Sequence, residues 1–260
     1  MLSGQSLVDA QLTQPHLQPF RNALRDATVR TVQPRGKAII TSFDNDLHLY
    51  SHNQLYGRWY ITAAGRPPAT NRTLRVALHT QAHTAWLYSA SDIEVLDPAG
   101  LSLHPYLTKL GPDAVEATTN WRTIAARLTA PEFRARRLYS LYLDQHFVAG
   151  IGNYLRSEIL FVAGLHPSLR PCDLSRGEIG QLARATLNIT RRSYQTGGIT
   201  NAPALAARMQ RKGHSYEDRR FAVFARAGQP CHTCSNTIER STAGSRRLYH
   251  CPTCQRARTQ

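Results

Sequence analysis

Near its C-terminal end the chain reads Cys231-His-Thr-Cys234 and, sixteen residues later, Cys251-Pro-Thr-Cys254. Two Cys-x-x-Cys pairs at this separation have the spacing of a four-cysteine zinc site. Four thiolates complete a tetrahedral shell and leave no open position for water or substrate, so such a site holds structure and does not catalyse. The flanking segment has few apolar residues, and one bound Zn²⁺ is expected to supply most of its folding free energy. A redox dithiol pair or two disulfides also fit the cysteine count, but paired x-x spacing bridges one metal better than it bridges two cysteines. Cys231, Cys234, Cys251 and Cys254 are therefore the expected ligands of a zinc ribbon over 226–260, with His232 and His250 beside them as non-ligands.

The chain has 260 residues and carries 32 Lys+Arg against 17 Asp+Glu, a formal charge of +15 and a pI near 10.2. The excess is mostly arginine, whose planar fork suits phosphate, so an anionic polymer is the natural partner. A ribosomal or membrane-surface protein could share this balance. A 42% hydrophobic share supports ordinary cores for one large or two modest domains besides the metal module. Cys172 is unpaired, and four metal thiolates want a reducing compartment, which places the chain in the cytoplasm. No stretch has the length and apolarity of a membrane span, and the start lacks the basic flank and apolar core of a signal peptide.

From Leu7 to about Leu96 the pattern is that of strands. Residues 37–43, a polar turn at Asp44-Asn-Asp46 and residues 47–50 predict one hairpin; residues 74–78, a turn at 81–83 and residues 84–88 predict a second. The tandem prolines at Pro67 and Pro68 mark a loop between them. Short strands joined by polar turns predict an antiparallel sandwich or barrel over 1–117. The period then becomes helical. Trp121, Ile124, Ala125 and Leu128 mark a helix that stops before Pro131; Leu138, Leu141, Tyr142 and Gln145 mark another. Gly150-Ile-Gly-Asn153 feeds a third, and Ser175-Arg-Gly-Glu178 is a capping box opening a fourth. A helical domain over 118–225 is expected, with 196–220 as a mobile loop of weak period. The expected class is thus α+β and multidomain.

The glycine turn at 150–153 is a phosphate-site candidate, because glycines admit close backbone approach and a helix N-terminus presents unpaired N–H groups. An ordinary helix–helix turn with Asn153 as N-cap has the same sequence. The wider set of motifs is more telling. Arg35-Gly-Lys37-Ala-Ile, Leu49-Tyr-Ser-His-Asn-Gln-Leu-Tyr-Gly57, Tyr88-Ser-Ala-Ser-Asp-Ile-Glu94, Gly111-Pro-Asp113, Leu143-Asp-Gln145, Gly150 to Leu160 and the zinc ribbon together resemble the formamidopyrimidine-DNA glycosylase and endonuclease VIII family in order and spacing, over nearly the whole chain. The resemblance implies a helix-two-turn-helix domain and a base-excision-repair glycosylase/AP lyase. Such an enzyme flips a damaged base from double-stranded DNA, forms a Schiff base at C1′ and cuts by β,δ-elimination. Gln54, Leu55 and Tyr56 look like the endonuclease VIII type of wedge, which implies oxidised pyrimidines as substrates. Lys37 and Arg246 look like catalytic cations, Arg246 at the phosphates beside the lesion; Lys109, Asn153 and Arg247 look like DNA contacts, and Glu158 like a buried orienting carboxylate. The implied partner is a single duplex gripped by a monomer. A zinc-containing nucleic-acid binder without catalysis accounts for the charge and the cysteines, but gives no reason for Lys37, Gln54 to Tyr56 and Arg246 to coexist.

The start departs from the family, which opens Pro-Glu-Gly-Pro-Glu, with the proline amine as nucleophile and the glutamate as acid. This sequence opens Met-Leu-Ser-Gly. Aligning Gly4 to Asp9 with the strand after the family's first helix leaves on the order of 15 residues, including that helix, unmatched. The expectation is a sandwich lacking its first helix, with Pro-Glu encoded upstream. A short non-cleaving relative is the next explanation. Lys37 as the attacking amine is the weakest, because a lysine near its ordinary pKa of about 10.4 is mostly protonated.

Overall fold

The structure is a computed structural model that describes residues 2–257. The chain divides into two compact units, Met1–Lys109 and Leu110–Gln260. In the first, β1 (Asp9–Leu12) leads through a 3₁₀ turn (Pro15–Phe20) to the one-turn helix α1 (Arg21–Leu24). Then follow β2 (Val29–Arg35), β3 (Ala38–Phe43), β4 (His48–His52), β5 (Arg58–Ala63), β6 (Leu74–His79), β7 (His83–Tyr88), β8 (Asp92–Leu96) and α2 (Pro98–Leu103). Two four-stranded antiparallel sheets form, ordered β1-β6-β7-β5 and β2-β3-β4-β8.

The alternation read from the sequence places Leu12, Val76, Leu78 and Leu87 of one sheet and Val29, Phe43, Leu49 and Ile93 of the other in a single buried core. The expected sandwich is thus the observed one. Two details were not in the strand pattern. Residues 15–24, inside the stretch expected as strand, are helical, because Pro15 and Pro19 cannot serve a ladder; Leu17 and Leu24 instead plug one end of the core. Pro34 is tolerated within β2 because β2 is an edge strand.

The second unit contains α3 (Trp121–Thr129), α4 (Pro131–Arg134), α5 (Leu138–Leu141), α6 (Asn153–Val162), α7 (Arg176–Gln195), α8 (Pro203–Arg211) and the hairpin β9 (Glu239–Ala243) and β10 (Arg246–His250). The capping box is formed: Glu178 N–H donates to Ser175 Oγ at 3.3 Å, and Ser175 N–H to Glu178 Oε2 at 2.8 Å. Ile124, Leu128, Leu141, Ile159, Leu182 and Ile189 meet in the helical core. The division between units lies earlier than the 117/118 boundary suggested by the change of period. Gly111 to Ala114 belong with the helices through Gly111 N–H to Gln145 O at 2.9 Å, Ala149 N–H to Pro112 O at 3.0 Å and Arg191 Nε–H to Ala114 O at 3.1 Å.

The segment 196–220 corrects the sequence expectation of a loop, since it carries α8. Its period is weak because Ala206 is the one buried position of that helix, so tertiary hydrogen bonds at its base define it more than an apolar stripe does. Asn201 Nδ2 donates to Arg219 O and Phe221 O, both at 3.0 Å, and Thr200 N–H to Arg220 O at 2.8 Å. Among the described residues no helix is long and apolar enough to cross a membrane.

Candidate functional site

Residues 53–57 carry the chain from β4 in one sheet to β5 in the other. The crossing is tight: Gly57 N–H donates to Asn53 O at 2.7 Å, and a Cβ on Gly57 would lie 2.7 Å from Asn53 O and 3.0 Å from Ala90 Cβ. A second crossing, Ser89 to Ser91 between β7 and β8, packs beside it, and Ser91 Oγ–H donates to Gln54 Oε1 at 3.2 Å. Gln54 adopts a left-handed φ of 48°, Gln54 N–H donates to His52 Nδ1 at 3.0 Å, and Arg72 donates to Tyr56 O. On this well-held turn Leu55 is 77% and Tyr56 70% exposed. Large apolar side chains fixed in water by a braced backbone are arranged for contact with something else.

Lys37 lies in the two-residue Gly36-Lys37 turn ahead of β3, not within the strand where its hairpin pattern put it; Gly36 takes the positive φ of 62° that the turn needs. Its backbone N–H donates to Tyr106 Oη at 2.9 Å. Ala38 pairs with His52 and His52 with Asp92, so Lys37 and the 53–57 crossing leave the same end of one sheet. Lys109 is exposed in the turns after α2.

In the second unit the glycine turn is knitted by Gln145, whose Oε1 accepts from Gly150 N–H at 3.0 Å and whose Nε2 donates to Ile151 O at 3.0 Å. Gly152 is the N-cap of α6, so Asn153 is its first residue and not the cap. Asn153 Nδ2 donates to Arg247 O at 2.9 Å. Arg156, a residue that sequence reasoning passed over inside the motif, is fully buried; it donates to Asn153 Oδ1 at 2.6 Å, Arg247 O at 3.1 Å and Tyr139 O at 2.7 Å. Burial first, and then the charge of Arg246, push the Arg156 guanidinium down to about 10. Arg246 and Arg247 are both exposed on alternate sides of β10. Of the pair, Arg246 is the one whose charge reaches Arg156. Two cations gathered at one place create a positive potential suited to an anion. The only available signal for Arg156 was an arginine on a helix face otherwise filled by Leu155, Ile159 and Leu160.

Glu158 is fully buried, as its reading as an orienting carboxylate implies. It accepts four hydrogen bonds: from Thr200 Oγ1 at 2.6 Å and from the N–H groups of Ala222, Val223 and Phe224 at 2.8 Å each. It thereby ties the irregular segment leading into the ribbon to α6. The four cysteine sulfurs lie within 4.8 Å of one another, with Cys231–Cys254 at 3.9 Å and Cys234–Cys251 at 3.4 Å. A disulfide needs about 2.05 Å, whereas sulfurs around a tetrahedral ion at about 2.3 Å stand close to these separations, so the set could hold one metal ion. His232 and His250 are not part of the cluster.

Models of the formamidopyrimidine-DNA glycosylase N-terminal domain and of its H2TH domain match residues 2–92 and 110–203. Endonuclease 8 of Escherichia coli (strain K12 / DH10B) is 43% identical over 254 residues, covering 98% of this chain and 93% of that protein, and the Shigella sonnei protein of the same name matches to the same extent. Among solved structures, Lactococcus lactis Fpg (MutM) with FAPY-dG-containing DNA superposes with a TM-score of 0.80 at 19% identity, covering 98% of this chain and 94% of that one. The same protein with DNA containing an oxidized pyrimidine gives 0.79 at 20%, with the same coverage. At such identities the structures speak for the fold, whereas the sequence relatives and family models place the chain: it belongs to the formamidopyrimidine-DNA glycosylase and endonuclease VIII family of DNA glycosylase/AP lyases.

Proposed function

We propose that the protein, when it carries the family's Pro-Glu start, excises oxidised pyrimidines from duplex DNA by base flipping, Schiff-base formation at C1′ and β,δ-elimination, working as a monomer in the bacterial cytoplasm on nucleoid DNA, and that residues 1–260 as they stand bind damaged DNA. The observation that carries this reading is the braced 53–57 turn with Leu55 and Tyr56 held in solvent. A flipped nucleotide leaves a gap in the stack, and an amide, an apolar wedge and a flat ring at Gln54, Leu55 and Tyr56 are the chemistry to fill it. Lys37 supplies a cation beside the opened sugar and assists proton transfer during elimination. Arg246 holds the phosphates flanking the lesion, so that they leave as stabilised anions, with Arg247, Lys109 and Asn153 as further backbone contacts. Asn153 acts partly through the ribbon, because its amide already holds Arg247 O. In the family the attacking amine and the acid come from a Pro-Glu start, where this sequence reads Met-Leu-Ser-Gly.

One Zn²⁺ would sit among Cys231, Cys234, Cys251 and Cys254, where it would fix the hairpin that presents Arg246. Its contribution would be to folding and not to the chemistry.

Replacing Leu55 by Ala is expected to weaken binding to a duplex bearing a tetrahydrofuran abasic analogue about tenfold, as for loss of a buried leucine contact, and to leave undamaged DNA nearly unaffected. Equal losses on the two duplexes, measured by fluorescence anisotropy, would make Leu55 a packing residue and defeat the reading. Binding to undamaged duplex is expected to fall steeply and linearly in log–log form as salt rises, through counterion release, and to lose about one unit of slope in Arg246→Ala. A salt-independent affinity would exclude backbone gripping.

A further inference from the structure

We propose that His52 is a positioning residue for the lesion-gap wedge: its neutral imidazole latches the 53–57 turn through Nδ1, and protonation of that nitrogen opens the latch. This rests on the reading of Gln54 to Tyr56 as the wedge. A backbone N–H is always a donor, so the 3.0 Å contact from Gln54 N–H requires a bare Nδ1 and places the ring proton on Nε2. Gln54 is also the residue at φ 48°, a conformation that a non-glycine residue keeps only when its surroundings fix it. When Nδ1 takes a proton from solvent, two N–H groups face each other, the acceptor is lost and the left-handed turn loses its nearest brace.

The surroundings of the ring hold it in the latched form at neutral pH. His52 ends β4 and is half-buried, with the Tyr106 ring edge-on at 5.1 Å. From β8, its register partner Asp92 favours the protonated form, but that carboxylate also accepts Tyr50 Oη–H at 3.3 Å. From the turn before β3, Lys37 opposes protonation, and Glu94, further along β8, is engaged by His104 Nε2 at 3.5 Å. Burial is the largest influence and holds His52 below the usual histidine range. The latch therefore stays closed through neutral pH and opens on the acid side of about 6.5. Two further braces hold the turn, Ser91 on the Gln54 amide and Arg72 on Tyr56 O.

The test uses the whole chain and the ratio of its affinities for a tetrahydrofuran-containing and an undamaged duplex, measured from about pH 8 to about pH 5. The ratio is expected to fall about fivefold on acidification, the equivalent of one hydrogen bond. In His52→Asn, whose Oδ1 stands where Nδ1 stood and cannot be protonated there, the ratio is expected to stay near its neutral value throughout. In His52→Leu, which has no acceptor, it is expected to be low at every pH. If His52→Asn falls with acid as the parent chain does, or the parent ratio does not change, the latch is overturned while the wedge stands. If Leu55→Ala leaves the ratio at pH 8 intact, the wedge itself is overturned, and the latch with it.

Discussion

Replacing Glu158 by Gln is expected to lower the unfolding free energy by about 3–5 kcal/mol, because a buried, fully used anion is exchanged for a group of the same size with the wrong hydrogen-bonding capacity. The carboxylate accepts from Thr200 Oγ1 and from three consecutive backbone N–H groups, Ala222 to Phe224. A glutamine offers one oxygen with two lone pairs and turns an NH₂ toward the other donors. At least two of the four then lose their acceptor in a site closed to water. The buried Arg226, which Glu158 favours in its charged form, also loses that anion. Urea unfolding followed by circular dichroism measures the effect, and a loss below about 1 kcal/mol would show that the neck of the ribbon is held by other means. The loss should be accompanied by weaker DNA binding, since the clamped segment leads directly to the hairpin carrying Arg246.

The second large effect is expected at the cysteine cluster. Replacing Cys251 by Ser, or stripping the ion with a chelator, should unfold the ribbon and leave the helical unit folded. The ribbon's own apolar core is small: Val223, Ile238 and Tyr249 with the cysteines themselves, and Phe161 and Phe224 at its margin. Zinc binding to such modules contributes on the order of 10–16 kcal/mol, far more than that core can replace. The helical core of α3, α6 and α7 contains none of the four cysteines. Trypsin should then cut after Arg240, Arg246 and Arg247, while far-UV circular dichroism changes little. One zinc per chain is the expected content of the native protein by metal analysis. Protection of those arginines in metal-free protein would refute the assignment of the ion as the ribbon's main support.

Much of this molecule is legible in the sequence for identifiable reasons. The hairpins at 38–52 and 74–88 announce themselves because their turns are polar and their strands are rich in β-branched and aromatic residues. The start of α7 is written in Ser175 and Glu178, because a capping box is a local device whose partners are three residues apart. The four cysteines are legible for the same reason: a metal shell imposes its spacing on the chain. Helix α8 was hidden because what holds it is not local. Asn201 and Thr200 bind residues that follow much later in the chain, and no periodic stripe records such bonds. Arg156 was hidden because a buried arginine is recognisable by its acceptors, Tyr139 O, Asn153 Oδ1 and Arg247 O, which sequence distance conceals.

By itself the sequence determined most of the elements and the inventory of chemistry: alternating strands for an antiparallel layer, capped helices, a four-cysteine set, and the motifs that carry the family. These follow from interactions between residues a few positions apart, where periodicity and spacing are the physical cause. Only the tertiary structure decided how that chemistry is aimed. It put Lys37 in a turn at the same sheet end as the exposed 53–57 crossing. It bound Asn153 and Arg156 to the strand of Arg247 and turned Glu158 into the anchor of the ribbon's neck. Each of these is a hydrogen bond or a charge contact between distant segments, and its existence depends on where packing brings the backbone.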